Sequence, residues 1–283
     1  MAKGLKIIND KDLNKLKETE LEILGEIERI CIKYELSFFF IGGTLLGAVR
    51  HKGFIPWDDD LDICMTRDDF NKLKDVAADE FGDKYFLDYI DTNRDYHIPF
   101  AKVRKNNTTF GEKDLEGLDV HKGIFVDIFI CDFVDGNSKR SYYKASFIQI
   151  LADTVLLKKG LKNSADCNHP LLSKVFCIFS SHAILKFVDY LSSHLNGNKN
   201  NYDHVICFND LVRFEKIYFK VDDIFPLKKV EFEGRYFDGP NDSDKYLKAQ
   251  FGDYMKLPPV EDRFNHSVEY LSFTEGKSMV NKK

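Results

Sequence analysis

A chain of 283 residues is long enough to bury a substantial core and corresponds to one or two domains. With 43% hydrophobic and 31% charged residues it has the composition of an ordinary globular protein, which excludes a disordered or fibrous one. A formal charge of -5 argues against a broad nucleic-acid surface, so no nucleic-acid partner is expected.

The N-terminal stretch carries no long apolar run, so no signal peptide is expected. Leu16, Ile23, Ile27, Ile30 and Tyr34 recur at helical spacing and predict one long amphipathic helix. "LSFFFI", ending at Ile41, reads as a short buried strand. Gly42-Gly43-Thr44 then opens a short helix, with Thr44 as its N-cap. Asp60 to Met65 reads as the next strand. Thr66 and Asp69 form a capping box ahead of Phe70, Leu73, Ala77 and Phe81 on one helical face. Strands are predicted at Tyr85–Ile90, Ile98–Val103 and Ile124–Ile130, which gives an α+β organisation with a mixed sheet.

From Ser138 the pattern changes to two apolar helical stretches, Tyr142–Leu157 and Leu171–Leu195. They read as a helical core packed on the sheet. The alternative is a peripheral surface for a membrane-linked acceptor, with the flanking lysines at the headgroups. The apolar run Val175–Leu185 is about half the ~20 residues needed to span a bilayer. Cys31, Cys64 and Cys131 lie among apolar residues, and none of the six cysteines forms a C-x-x-C pair. They are expected to be buried free thiols in a reducing compartment. A cytoplasmic location, or a peripheral one at the inner face of the membrane, is therefore expected.

Three consecutive aspartates, Asp58 to Asp60, precede the strand that carries Asp62. Side chains of a strand alternate in direction, so Asp60 and Asp62 share a face while Leu61 and Ile63 fill the other. Choosing Asp58 and Asp60 instead puts Asp59 where an apolar residue is wanted. Two carboxylates at this spacing suit a hard cation such as Mg²⁺ or Mn²⁺. Asp127 interrupts the apolar run "GIFVDIFI", where an ionised carboxylate is costly unless paired or metal-bound. The glycine pair allows close backbone approach, and the helix it opens offers N–H groups to a phosphate. Together these features point to phosphoryl or nucleotidyl transfer.

Strand, Gly-Gly, helix, Asp-x-Asp and a later aspartate resemble the pattern of the nucleotidyltransferase superfamily, with its DNA polymerase β-like fold. More closely, "GTLLGAVRHKGFIPWDDDLDI" and the C-terminal "YLKAQFGDYMKLPPVEDRFNH" resemble the LicD family of phosphocholine transferases, related to the fukutin group. The likeness runs from about Leu21 to His266 and is weakest from 140 to 220. It implies a CDP-choline donor, a glycan acceptor that is free or lipid-linked, of the teichoic-acid or lipopolysaccharide type, and CMP as leaving product. Asp60, Asp62 and Asp127 would be the metal-binding and catalytic acids, Asp127 as ligand or as base. Gly42, Gly43 and Thr44 would bind phosphate.

Arg50 is a phosphate contact or a helix C-terminal charge, and His51 a ligand contact or a structural hydrogen bond. Lys102 and Arg104 face the phosphates or a solvated edge. Arg263 and His266 complete the site or form a capping ion pair with Asp253 or Glu261. Trp57 is a core anchor, or alternatively a face for a quaternary ammonium. The expected organisation is a core at 1–137, a helical insertion at 138–200, and a C-terminal part at 201–283 that completes core and site. The rival readings are a nucleotidyltransferase that releases pyrophosphate from an NTP, a transferase of ethanolamine or polyol phosphate, and a binding module with a dead site.

Overall fold

The computed structural model describes residues 8–112, 120–167, 169–210, 212–263 and 268–274. Its elements, in chain order, are α1 (Asp10–Lys33), β1 (Phe39–Phe40), α2 (Gly42–His51), β2 (Asp62–Thr66), α3 (Arg67–Phe81), β3 (Tyr85–Asp88), β4 (Ala101–Lys105), β5 (Thr109–Glu112) and β6 (Phe125–Asp135). Then follow α4 (Ser138–Lys158), α5 (Pro170–Phe176), α6 (Ser181–Ser193), β7 (Tyr202–Ile206), β8 (Tyr218–Lys220), α7 (Val221–Ile224), β9 (Lys228–Phe232), β10 (Arg235–Gly239), α8 (Ser243–Phe251) and β11 (Val268–Ser272).

The main sheet runs β1-β2-β6-β4-β3, with β7 added to β6 and β8 to β7. β2 and β6 are parallel and the other neighbours antiparallel, so the sheet is mixed. β9 with β10 and β5 with β11 form two-stranded ladders. β6 is the hub because its eleven residues are long enough to pair with β2, β4 and β7.

Local sequence explains the helix ends. Asn9 caps α1 by accepting from the Asp12 N–H, and the buried face includes Leu16, Ile23, Ile27 and Ile30. This helix packs on β6, β4 and α3. Thr66 caps α3 by accepting from the Asp69 N–H and donates to Asp69 Oδ2. Phe70, Leu73, Ala77 and Phe81 are all buried, as their spacing predicts.

Four expectations change. The strand ending at Ile41 has only two ladder residues, Phe39 and Phe40. Thr44 is not an N-cap: α2 starts at Gly42 after Ile41, and Thr44 lies inside its first turn. The strand after the aspartates starts at Asp62, so Asp60 lies just ahead of the ladder. The stretch Leu171–Leu195 is two helices, α5 and α6, meeting at 111°. Pro170 starts the first and Ser180 caps the second, so each has its own start signal.

The helical stretches also differ in burial. α4 and α6 bury Ile148, Leu151, Val155, Ile184, Leu185 and Val188, whereas Ser173 is the buried residue of α5. All six cysteines are free thiols, and Cys31, Cys64, Cys131 and Cys167 are buried. Among the described residues no single helix is long and apolar enough to cross a membrane.

Candidate active site

The site forms where β2 and β6 begin. Their parallel register sets Asp62 directly beside Asp127, and the antiparallel β4–β6 register sets Lys102 beside Asp127. Lys102 Nζ donates to Asp127 Oδ1 at 2.6 Å and lies 3.3 Å from the Phe125 ring centroid. Burial pushes the Asp127 carboxyl up to about 6, against the opposing charge of Lys102. Burial raises Asp62 well above the usual carboxylate range, reinforced by Asp60, Asp127 and Asp58 and opposed by Lys102.

The glycine turn cradles these acids. A side chain on Gly42 would place its Cβ 2.9 Å from Asp62 Oδ2, and one on Gly43 would place it 2.9 Å from Asp58 Oδ2. Gly42 also has a φ of +52°, which favours glycine. The Thr44 hydroxyl accepts from the Asp62 N–H at 2.7 Å and so ties the first turn of α2 to the start of β2.

Asp58, Asp59 and Asp60 place one carboxylate oxygen each within 4.8 Å of one another. Position 59 is a buried one, as alternation expects, but it holds a carboxylate and not an apolar side chain. Burial alternates from Asp58 to Ile63, with Asp59, Leu61 and Ile63 buried and Asp58, Asp60 and Asp62 partly exposed. Beneath them lies Glu20 of α1, 2% exposed, whose Oε2 has no partner among the described residues. Burial raises Glu20 well above the usual range, and Asp60, Asp59 and Asp58 add to the effect. Lys17, one turn earlier on α1, donates to the carbonyls of Ile55 and Pro56 at 2.9 and 3.0 Å.

Glu20 and Lys17 were not singled out from sequence. A signal existed for Glu20: it stands four residues after Leu16 and three before Ile23, on the apolar stripe of α1.

A cationic rim stands beside Asp58. Arg50, in the last turn of α2, donates to His51 Nε2 at 2.9 Å and to the Tyr254 carbonyl at 2.7 Å. Burial and the nearby Arg263 lower the Arg50 pKa, while Asp58 raises it. His51 is held below its usual value by burial and by Arg50, which suits an imidazole accepting a hydrogen bond. Arg263 donates to the Pro258 carbonyl at 3.0 Å and lies 4.9 Å over the Trp57 ring. Trp57 packs against the core and already carries a cation on a face.

Lys102 and Arg104 are both buried, so the solvated-edge alternative is excluded. Arg104 is engaged deep in the sheet, donating to Asp88 Oδ2 at 2.8 Å and to the Gly123 carbonyl at 3.1 Å. It does not join the rim. His266 lies outside the described residues.

The acids supply only oxygen donors, which fit a hard divalent cation. The unpartnered buried oxygen of Glu20 and the raised carboxyls of Asp62 and Asp127 are what a bound cation would relieve.

A glycine-opened helix start over paired acids on adjacent strands is the arrangement of a phosphate-handling protein, and comparison with known proteins narrows the class. The family model for the LicD/FKTN/FKRP nucleotidyltransferase domain matches residues 35–156, which include Gly42, Gly43, Asp58 to Asp62 and Asp127. The lipopolysaccharide cholinephosphotransferase LicD of Haemophilus influenzae is 31% identical over 264 residues, covering 88% of this chain and 93% of that protein. The ribitol 5-phosphate transferase FKRP of Homo sapiens is 36% identical over 70 residues, covering 25% of this chain and 13% of that protein. The chain belongs to the LicD family.

Proposed function

We propose that this chain is a phosphocholine transferase on a nucleotidyltransferase, DNA polymerase β-like, fold. Residues 138–200 form its helical insertion. It transfers phosphocholine from CDP-choline to a hydroxyl of a cell-surface glycan precursor and releases CMP. The observation that carries this reading is the juxtaposition of Asp62 and Asp127 on adjacent parallel strands, under the glycine start of α2. The names of the relatives support the substrate class: one transfers cholinephosphate to lipopolysaccharide, and another transfers ribitol 5-phosphate. A cytoplasmic enzyme, free or peripheral at the inner membrane face, fits such an acceptor.

In the proposed reaction the acceptor oxygen bonds to the choline-bearing phosphorus as the bond from that phosphorus to the bridging oxygen of CMP breaks. The first-turn N–H groups at Gly42, Gly43 and Thr44 hold a phosphate oxygen. Arg50 and Arg263 balance the diphosphate charge at the rim, with His51 orienting Arg50. Asp60, Asp62 and Asp127 are the residues to hold Mg²⁺, or Mn²⁺ in its place, which supplies charge neutralisation between acids and phosphates when bound. Lys102 fixes one oxygen of Asp127, which leaves the other to a cation or to the hydroxyl proton. No covalent intermediate is needed, because positioning and charge stabilisation supply the rate.

The test is a donor panel of CDP-choline, CDP-ethanolamine, a CDP-polyol and CTP, with Mg²⁺ and a lipopolysaccharide-type acceptor. CMP formed with CDP-choline is the expected result. Pyrophosphate from CTP would move the reading to nucleotidyl transfer, a polyol preference would change the substituent, and no turnover of any donor would leave a binding module.

A further inference from the structure

The helical insertion is unlike the rest of the chain in charge. Residues 138–200 contain nine Lys and Arg against three Asp and no Glu, a formal +6 in a chain whose total is -5. The remainder therefore carries -11. Inside this cationic unit, the corner between α5 and α6 leaves its apolar side chains in solvent. Leu171, Val175 and Ile178 are 78%, 60% and 79% exposed, and Leu172 and Phe179 are about half exposed. Large apolar residues on a soluble surface are normally scattered singly, whereas five within nine consecutive positions make an interaction patch.

The corner is held in shape. Lys158 Nζ donates to the carbonyls of Cys177 and Phe179, which fastens the 111° bend to the end of α4. α5 has seven residues, or roughly 10 Å of helix, against a hydrocarbon core of about 30 Å. Its geometry suits shallow insertion and not a crossing.

We propose that this corner docks the protein on an anionic bilayer. Leu171, Leu172, Val175, Ile178 and Phe179 enter the boundary between headgroups and acyl chains, and Lys174, exposed within the corner, faces the lipid phosphates. The separation of +6 from -11 orients the molecule, insertion toward the membrane and acidic remainder away. The inference stands apart from the reaction chemistry, since none of these residues belongs to the acid centre or its rim.

The experiment uses the full chain with vesicles of phosphatidylcholine alone and vesicles that also contain phosphatidylglycerol, scored by co-sedimentation. The wild type is expected to favour the anionic vesicles, with salt weakening the binding. The double variant Ile178→Ser with Phe179→Ser should lose about tenfold or more in partition, equivalent to ~1.4 kcal/mol. Its melting temperature should fall only slightly, since Ile178 is largely and Phe179 half exposed. Ile32→Ser, a substitution at a 74% exposed position on α1, should bind as the wild type does. Equal binding of wild type and double variant, or no wild-type binding to anionic vesicles, overturns the proposal. So does a lipid-free wild-type dimer that the double variant abolishes, because the corner would then serve self-association.

Discussion

Replacing Gly42 by alanine tests the cradle most directly, because two penalties arise there from separate causes. The first is backbone strain: at a φ of +52°, an alanine costs roughly 1–2 kcal/mol. The second is contact, since the new Cβ would stand 2.9 Å from Asp62 Oδ2. Restoring an ordinary separation of about 3.5 Å requires Asp62 or the helix start to move by roughly 0.6 Å. Strain alone lowers the melting temperature by about 2–8 °C, at ~2–4 °C per kcal/mol for a domain of this size. Displacing a reacting group by about 1 Å costs ~10²-fold in rate, so a shift of this size should cost about tenfold or more. Gly43→Ala separates the causes: it makes the same 2.9 Å contact, with Asp58, but without a left-handed φ. It should therefore hold its melting temperature while still losing rate. The assay is initial-rate CMP release per folded molecule, with thermal melts on the same preparations. A Gly42→Ala protein with wild-type rate per folded molecule would show that the glycine start does not hold the acids in working positions.

Asp60→Asn and Asp62→Asn should each abolish transfer without destabilising the fold, and Mg²⁺ should raise the melting temperature of the wild type but not of Asp62→Asn; near-normal activity in either variant sinks the assignment. Asp127→Asn should cost at least ~10²-fold in rate per folded molecule if the group is base or ligand, whereas preserved rate with lost stability would make it structural. Lys102→Met leaves Asp127 as an unpaired buried charge and should destabilise by about 3–5 kcal/mol, read by urea melts at pH 7. His97 is 6% exposed and burial pulls its pKa down to about 4 from 6.5. Between those values the unfolded chain binds the extra proton, so stability from this group is present above 6.5 and is lost, by up to about 3 kcal/mol, as pH falls toward 4. His97→Asn should flatten that acid slope; an unchanged slope refutes the attribution.

What sequence could show of this site was set by how local each signal is. The glycine pair, the aspartate run and the Thr66 capping box are contiguous, and each lies where its local chemistry puts it. Asp127 was visible only as a charge in an apolar run, and sequence spacing does not tell which strand β6 lies beside. The β2–β6 register supplies that, and with it the neighbour relation to Asp62. The roles of Lys102 and Arg104 illustrate the same limit. They are two apart on one strand and equivalent in pattern, but Lys102 meets Asp127 while Arg104 meets Asp88. A partner on another strand, and not the residue type, separates them.

Asp60 lies outside the strand ladder, yet it keeps to the same partly exposed side as Asp62. The ladder starts at Asp62, but burial alternates from Asp58 to Ile63, with Asp59, Leu61 and Ile63 on the buried side. Just ahead of the ladder, Asp58, Asp59 and Asp60 bring one carboxylate oxygen each within 4.8 Å of one another. Convergence of like charges over a buried Glu20 is unfavourable for the protein alone, as the raised Glu20 pKa expresses. Lys17 offsets part of it from one side and Lys102 from the other. Under the proposed function, a cation bound beside these acids would relieve the raised carboxyls of Glu20 and Asp62.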